Sequence, residues 1–194
     1  IEGRLGHIAI WHAAPSAAIV RGEGISMGEG RNTWVRPGIM LYGAGDDAET
    51  IRDVRPVMKL MSKVMLIKTV PQGTKVSYGC TFETKRRSRL GIVPVGYADG
   101  YPRSFSSKAC VLVRGQRVPV VGRVTMDMII VDLTDLGAAT VGDEVVLLGG
   151  QGDDAITVQE LAEWADTITY EILTSISARM PRVYKHDVIP TDRT

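Results

Sequence analysis

The chain has 194 residues, with 23 Lys and Arg against 22 Asp and Glu. A net charge of +1 gives no bulk field to hold nucleic acid or an anionic membrane surface, so neither partner is expected. Two cysteines, Cys80 and Cys110, are too few for a disulfide framework, which indicates a reducing compartment and a cytoplasmic location. The 21 glycines exceed the usual share of about 7% and favour turn-rich β structure.

The N-terminal part has the pattern of an α/β unit. Residues 1–4 spell a protease site of the kind added in cloning, and they are left out of the interpretation. Residues 5–11 predict an apolar strand, Ser16 begins a short helix, and residues 33–43 predict a second strand broken at Pro37. Polar residues follow, so we predict a domain boundary that divides the chain into 1–45 and 46–194.

The remainder of the chain is mainly short β runs separated by turns, which is typical of antiparallel sheets. We predict strands at 64–70, 90–96, 109–113, 118–124, 128–133 and 144–148. Thr157 and Glu160 have the spacing of a capping box for a helix that ends near Ala165. A second helix around Ile172 and a final strand at 182–184 complete the prediction.

Two separate places in the sequence have groups that can bind an anion. Ser16 begins a helix, where free N–H groups favour phosphate, although a simple N-cap is the better explanation of this residue taken alone. Arg36 offers a permanent charge and Gly38 a close backbone approach at the second strand. Together they match the phosphate site that a β/α barrel builds after its last strands. The three histidines are scattered, so no metal site is predicted.

Tyr78 and Tyr97 both lie beside glycines, which leave a phenol accessible. Taken singly, each is also compatible with a turn or core tyrosine. A phenol acts as a base near neutral pH only beside a cation, so the residues alone assign neither tyrosine a role.

Six segments in order resemble the alanine racemases, the fold-type III enzymes that use pyridoxal 5'-phosphate: HAAPSAA at 12–18, VRPGIMLYG at 35–43, VSYG at 76–79, PVGYADGYPR at 94–103, VGRVTMD at 121–127 and ITYE at 168–171. The resemblance implies a mainly β fold, namely the family's C-terminal β domain preceded by the last strands of a β/α (TIM-type) barrel. It also implies an isomerase that interconverts L- and D-alanine and supplies D-alanine for peptidoglycan precursors.

The resemblance places cofactor contacts on six positions. The family holds the phosphate with a serine, two backbone groups and a tyrosine, and it bonds the pyridine nitrogen through an arginine supported by a further residue. In this sequence these positions are, in that order, Ser16, Gly38, Ile39, Tyr170, Arg36 and His12. Because an arginine keeps its proton, the ring nitrogen is expected to stay unprotonated.

The family racemises with two bases, a Schiff-base lysine and a tyrosine that enters the partner subunit's active site. Tyr78 matches that tyrosine, which implies a head-to-tail homodimer acting on a small amino acid such as alanine. Met126 and Asp127 match the segment that contributes to the substrate carboxylate site. The family's entrance corridor falls on Tyr97, Arg103, Arg123 and Ile168.

Departures from the family pattern leave alternatives open. The Schiff-base lysine and the barrel arginine that binds the substrate carboxylate have no counterpart here, so the chain by itself is expected to be inactive. Pro15 stands where asparagine is usual and Thr125 where cysteine is common, which leaves a serine or broad-specificity racemase open. A β-rich dimerisation or interaction module without catalysis is the alternative from another class.

Overall fold

A computed structural model describes residues 10–23, 32–45 and 54–185. The first two ranges contain strand β1 (Ile10–Pro15), helix α1 (Ser16–Val20) and strand β2 (Asn32–Arg36). β1 and β2 pair in parallel, so the strand–helix–strand unit predicted from the sequence is confirmed for these residues. Most of the predicted strand at 5–11 lies outside the described residues.

The second half of the strand predicted at 33–43 is wrong. β2 ends at Arg36, and a 3-10 turn covers Ile39–Tyr42. Pro37 has no N–H to donate, and Gly38 has φ −119° and ψ −92°, which takes the backbone out of the extended region. The chain therefore turns toward the β domain at this point, where Val57 N–H donates to the Tyr42 carbonyl over 3.3 Å.

The β domain is described over residues 54–185. Its strands are β3 (Leu60–Lys63), β4 (Leu66–Val70), β5 (Lys75–Val76), β6 (Phe82–Glu83), β7 (Ser88–Val93), β8 (Cys110–Val113), β9 (Gln116–Pro119), β10 (Ile129–Asp132), β11 (Glu144–Gln151) and β12 (Asp154–Ile156). All six predicted β runs overlap one of these strands, although β9 covers only two residues of the run predicted at 118–124. The pattern did not predict β3, β5, β6 and β12, and it missed Ser88 and Arg89 at the start of β7.

Antiparallel pairing arranges these strands into two main sheets. One has the order β12–β11–β8–β9, with β3 also paired to β11, and the other has the order β10–β7–β4. An isolated bridge between Val120 and Val131 connects them, and β5 and β6 form a separate hairpin. The mainly β fold expected from the sequence is therefore confirmed.

The hydrophobic core lies against the inner faces of both sheets. Val111, Leu133 and Leu147 have no exposed surface, and Ile39 and Ala44 from the N-terminal part join the same cluster. Valine and isoleucine suit strands that are half buried or fully buried, because branched side chains pack well on a pleated surface. The core therefore links the N-terminal part to the β domain.

Two helices close the described chain. In α2 (Val158–Ala165) the predicted capping box is confirmed, since Glu160 N–H donates to Thr157 Oγ1 over 3.1 Å and Thr157 N–H donates to the Glu160 carboxylate over 3.0 Å. α3 (Thr169–Ser175) buries Ile172, as predicted.

The strand predicted at 182–184 is wrong. Residues 181–185 pair with no strand and are exposed, because Pro181 interrupts the pattern and Val183 is 81% exposed. Residues 46–53 lie outside the described residues, so the boundary between 1–45 and 46–194 stays a prediction. Within the three described ranges, no helix has the length and apolar character needed to cross a membrane.

Candidate functional site

A cleft of about 480 Å³ opens on the β domain, and we call it the Tyr78 cleft. It is lined by Tyr78, Tyr97, Arg103, Arg123, Val124, Thr125, Met126, Asp127 and Met128. Six of these nine residues are ones that the resemblance singled out, although they come from three separate segments of the chain. The fold therefore brings the predicted base, three corridor residues and the predicted substrate segment to one place.

Tyr78 is presented by an unusual backbone. It follows β5 and begins the 3-10 turn Tyr78–Cys80, and it is 75% exposed. Ser77 before it has φ 61° and ψ −178°, a region that residues other than glycine almost never adopt, and Gly79 after it has φ 70°. Such strain persists only where the surroundings hold it, and it concentrates at functional sites.

The segment 121–123 holds this strained loop. Ser77 Oγ donates to the Arg123 carbonyl over 2.8 Å. At Gly122, with φ +74°, an added Cβ would lie 2.8 Å from Ser77 Cβ, so only glycine permits the approach. A Cβ built on Gly79 would lie 3.3 Å from Cζ of Arg123, so the guanidinium lies against the loop that presents Tyr78. Arg123 and Tyr78 therefore line the same cleft, with the guanidinium against the backbone of the loop.

Met126 and Asp127 form the tip of a turn that closes on itself. Thr125 N–H donates to the Met128 carbonyl over 3.0 Å, and Met128 N–H donates to Thr125 Oγ1 over 3.1 Å. Tyr97 and Ala98 N–H groups donate to the Thr125 and Met126 carbonyls, each over 3.0 Å. The corridor segment and the substrate segment are thus fixed to each other by backbone hydrogen bonds.

The sequence interpretation missed Arg179 and Asp99, which meet at the edge of this site. Arg179 Nε donates to Asp99 Oδ1 over 2.7 Å, and its Nη2 donates to Asp127 Oδ1 over 2.6 Å. Hydrogen bonds to Asp99 and then to Asp127 hold the pKa of Arg179 above its ordinary value. No local pattern could have found this contact, because the two partners lie 80 and 52 positions away along the chain.

A second constellation lies in the N-terminal part, and we call it the Ser16 cradle. The buried Ser16 Oγ accepts the Gly38 N–H over 3.0 Å and the Met40 N–H over 3.4 Å. An added Cβ on Gly38 would meet no atom within 4 Å, so the space beside it is open. Two of the four predicted phosphate contacts therefore meet, and Ile39 lies between the two amides with its side chain buried in the core.

The remaining predicted residues lie apart from the Tyr78 cleft. His12 on β1 is exposed and pairs in register with Trp34, while Arg36 at the end of β2 is exposed opposite Pro15. Tyr170 and Ile168, at the start of α3, are 44% and 55% exposed and are not among the cleft's lining residues.

Among the described residues, no three His, Cys, Asp or Glu side chains come together in a group that could hold a metal ion.

Such a β domain, with a tyrosine on a strained loop beside an arginine-lined cleft, has a counterpart among known families. Residues 57–184 match the family described as "Alanine racemase, C-terminal domain". The chain belongs to the alanine racemase family.

Relatives and solved structures agree with this assignment. The alanine racemase of Halothermothrix orenii is 46% identical over 185 residues, which cover 93% of this chain and 47% of that protein. The crystal structure of alanine racemase from Bacillus anthracis with bound L-Ala-P superposes with a TM-score of 0.84 at 38% identity, covering 96% of this chain and 47% of the other. The chain thus spans about half the length of the relatives it matches.

A second solved structure contains the cofactor. Alanine racemase from Bartonella henselae, solved with covalently bound pyridoxal phosphate, has a TM-score of 0.77 and 34% identity, covering 90% of this chain and 46% of the other.

Proposed function

We propose that this chain is the C-terminal part of a pyridoxal-phosphate-dependent alanine racemase and that Tyr78 is one of its two bases. The observation that carries the proposal is the exposed Tyr78 phenol, which a strained backbone presents at a cleft beside Arg123. A general base must reach its proton in a fixed geometry, and a loop held in a rarely populated conformation provides that geometry.

The Ser16 cradle fits the phosphate of the cofactor. The Gly38 and Met40 N–H groups both donate to the Ser16 hydroxyl, so a hydroxyl and two backbone amides converge on one point, and these are kinds of group that bind phosphate oxygens in proteins. The open space beside Gly38 leaves room for such an anion. In this proposal Ser16, Gly38, Ile39 and Tyr170 hold the phosphate, and His12 supports the Arg36 bond to the pyridine nitrogen.

When bound, pyridoxal phosphate withdraws electrons from the substrate's α-carbon and so makes the α-proton removable. This chain's residues then act around that atom. Tyr78 exchanges the α-proton on one face, and Arg123 lines the same cleft. Met126 and Asp127 border the substrate carboxylate, and access runs past Tyr97, Arg103 and Ile168.

The exposure of Tyr78 supports a head-to-tail homodimer in which the tyrosine serves the partner subunit's site. A phenol that is 75% exposed on its own chain can reach into another surface without rearranging its own fold. In the same proposal the chain alone lacks activity, because the lysine that binds the cofactor covalently is supplied by the rest of the enzyme. The domain division at 45/46 and a cytoplasmic location belong to this proposal as well.

Replacing Tyr78 with Phe in the complete enzyme tests the proposal. We expect removal of the α-proton to slow by about 10²- to 10⁴-fold for one enantiomer and far less for the other, because only one face loses its base. The measurement is deuterium uptake at the α-carbon of L- and of D-alanine in heavy water.

Tyr184→Phe is the matched control, because this tyrosine is 79% exposed and lies outside the Tyr78 cleft. It should leave both rates unchanged. An equal loss for the two enantiomers in Tyr78→Phe, or no loss, would contradict the assignment of Tyr78 as a base.

A further inference from the structure

Arg179 connects two carboxylates that belong to different parts of the site. Its guanidinium donates through Nε to Asp99 and through Nη2 to Asp127, over 2.7 Å and 2.6 Å. A planar guanidinium offers several donors in a fixed fork, so one arginine can bind two acceptors in set directions, which a lysine ammonium does less well. The contact therefore pairs a positive charge with the two carboxylates and fixes their orientation.

Asp99 is the anchor of this pair. It is only 6% exposed, and its Oδ2 accepts the Gly96 N–H over 2.8 Å while its Oδ1 faces Arg179. Its carbonyl also accepts the Ser177 N–H over 3.1 Å, which ties the chain just before Arg179 to the same turn. A buried carboxylate with both oxygens bonded is a rigid attachment point.

Asp127 is the exposed side of the pair. It is the sole acidic residue among the nine that line the Tyr78 cleft, and its side chain is 57% exposed. An unpaired carboxylate there would repel the carboxylate of an amino-acid substrate and would be free to turn toward it. Its bond to Arg179 weakens that repulsion and holds the carboxylate in one direction.

We propose that Arg179 is a positioning residue that neutralises the Asp127 carboxylate and holds it against Asp99, so that the cleft accepts the substrate's carboxylate. The inference rests on the proposed function, since it presumes an amino-acid substrate in this cleft. Arg103 and Arg123 then remain as the charged groups that attract the substrate. Arg179 acts through Asp127 and makes no contact with the substrate itself.

Steady-state kinetics of the complete enzyme provide the first test. Arg179→Gln should raise the KM for alanine about tenfold, with kcat changed far less, because the unpaired Asp127 carboxylate would repel the substrate's carboxylate during binding and takes no part in the chemistry. In an Asp127→Asn background the same substitution should have little further effect, since no charge remains to be neutralised. Arg86→Gln, which breaks the Arg86–Asp135 ion pair outside the cleft, is the matched control. An unchanged KM, or an equal effect in both backgrounds, overturns the proposal.

Amide hydrogen exchange in this chain gives a second readout that needs no activity. Arg179→Gln should speed exchange of the Thr125 and Met128 amides, which close the turn around Asp127, and leave Val131 in β10 unchanged. Asp99→Asn should do the same, because asparagine can still accept the Gly96 N–H but removes the charged anchor that holds Arg179 in place. It serves as the second variant if Arg179→Gln does not fold.

The two readouts separate the inference from the proposed function. If the complete wild-type enzyme does not racemise alanine, the proposed function fails, whereas the exchange measurement still decides whether Arg179 holds the turn. Unchanged exchange in both variants overturns the positioning role even if the enzyme is a racemase.

Discussion

The Ser16 cradle and the Tyr78 cleft are held in place by different amounts of packed structure. Around the cradle, β1 and β2 form a two-stranded pair, and Trp34 and Leu41 are 61% and 64% exposed. The cleft instead lies on a domain whose two sheets bury a continuous core. Ile39 and Ala44 are the described residues through which the N-terminal part joins that core.

The Ser16 cradle and the Tyr78 cleft therefore need different amounts of supporting structure. The cradle consists of one hydroxyl and two backbone amides, which need little surrounding structure to present an anion-binding group. The cleft presents charged and phenolic side chains in fixed directions, and this needs a rigid scaffold beneath it. The buried core of the β domain therefore supplies the stability of this scaffold, and the strained backbone described above lies in the loop that presents Tyr78 at the cleft.

Shortening one leucine to alanine in each region should separate the contributions of the two regions to stability. Leu133→Ala removes a fully buried side chain from the β-domain core and should lower the free energy of unfolding by about 2–5 kcal/mol. Leu41→Ala, at a position that is 64% exposed, should change it by less than about 0.5 kcal/mol. Urea unfolding of the chain measures both. Similar losses in the two variants would mean that the N-terminal part is as well packed as the β domain.

The strain assigned to the cleft can be measured at Ser77. Ser77→Ala loses the hydrogen bond to the Arg123 carbonyl and keeps the unfavourable backbone, whereas Ser77→Gly loses the same bond and relieves the backbone. After allowance for glycine's greater freedom in the unfolded chain, the glycine variant should be the more stable by about 1 kcal/mol. Urea unfolding of the pair is the measurement, and equal stability would argue that the loop is unstrained.

The smallest expected effect concerns Glu160 at the start of α2. Burial raises its pKa, but hydrogen bonds from Arg117 and Thr157 outweigh burial and hold the pKa below its ordinary value of 4.5. A lowered folded pKa stabilises the chain above the ordinary value, and this contribution disappears as the pH falls through the folded pKa. Glu160→Gln should therefore lose less than about 1 kcal/mol at pH 7, and the loss should shrink as the pH falls below 4.5.

Unfolding curves for wild type and Glu160→Gln at pH 7 and at acid pH test this dependence. If the difference in unfolding free energy between the two proteins grew as the pH fell, its sign would be wrong and the lowered pKa of Glu160 would be rejected.

Local patterns predicted the parts of this fold that depend on neighbours in sequence. Thr157 and Glu160 form their capping box within one turn of helix, and alternation located six β runs. The strand at 182–184 failed because a β-like composition says nothing about whether a partner strand is within reach. Likewise, six residues could be assigned to one cleft by resemblance, but Arg179 could not, since its partners are distant in the chain.

The pairing of β3 with β11 has a consequence for how the cleft comes into being. Lys63 pairs with Glu144, so this ladder closes a long loop, and all nine residues that line the Tyr78 cleft lie inside it. Closing a loop of this length is entropically costly, and contacts between distant segments are the slow ones in folding. The cleft is therefore assembled with the sheet in the same late step, and a chain that has not completed that ladder has no partly formed site to offer a substrate.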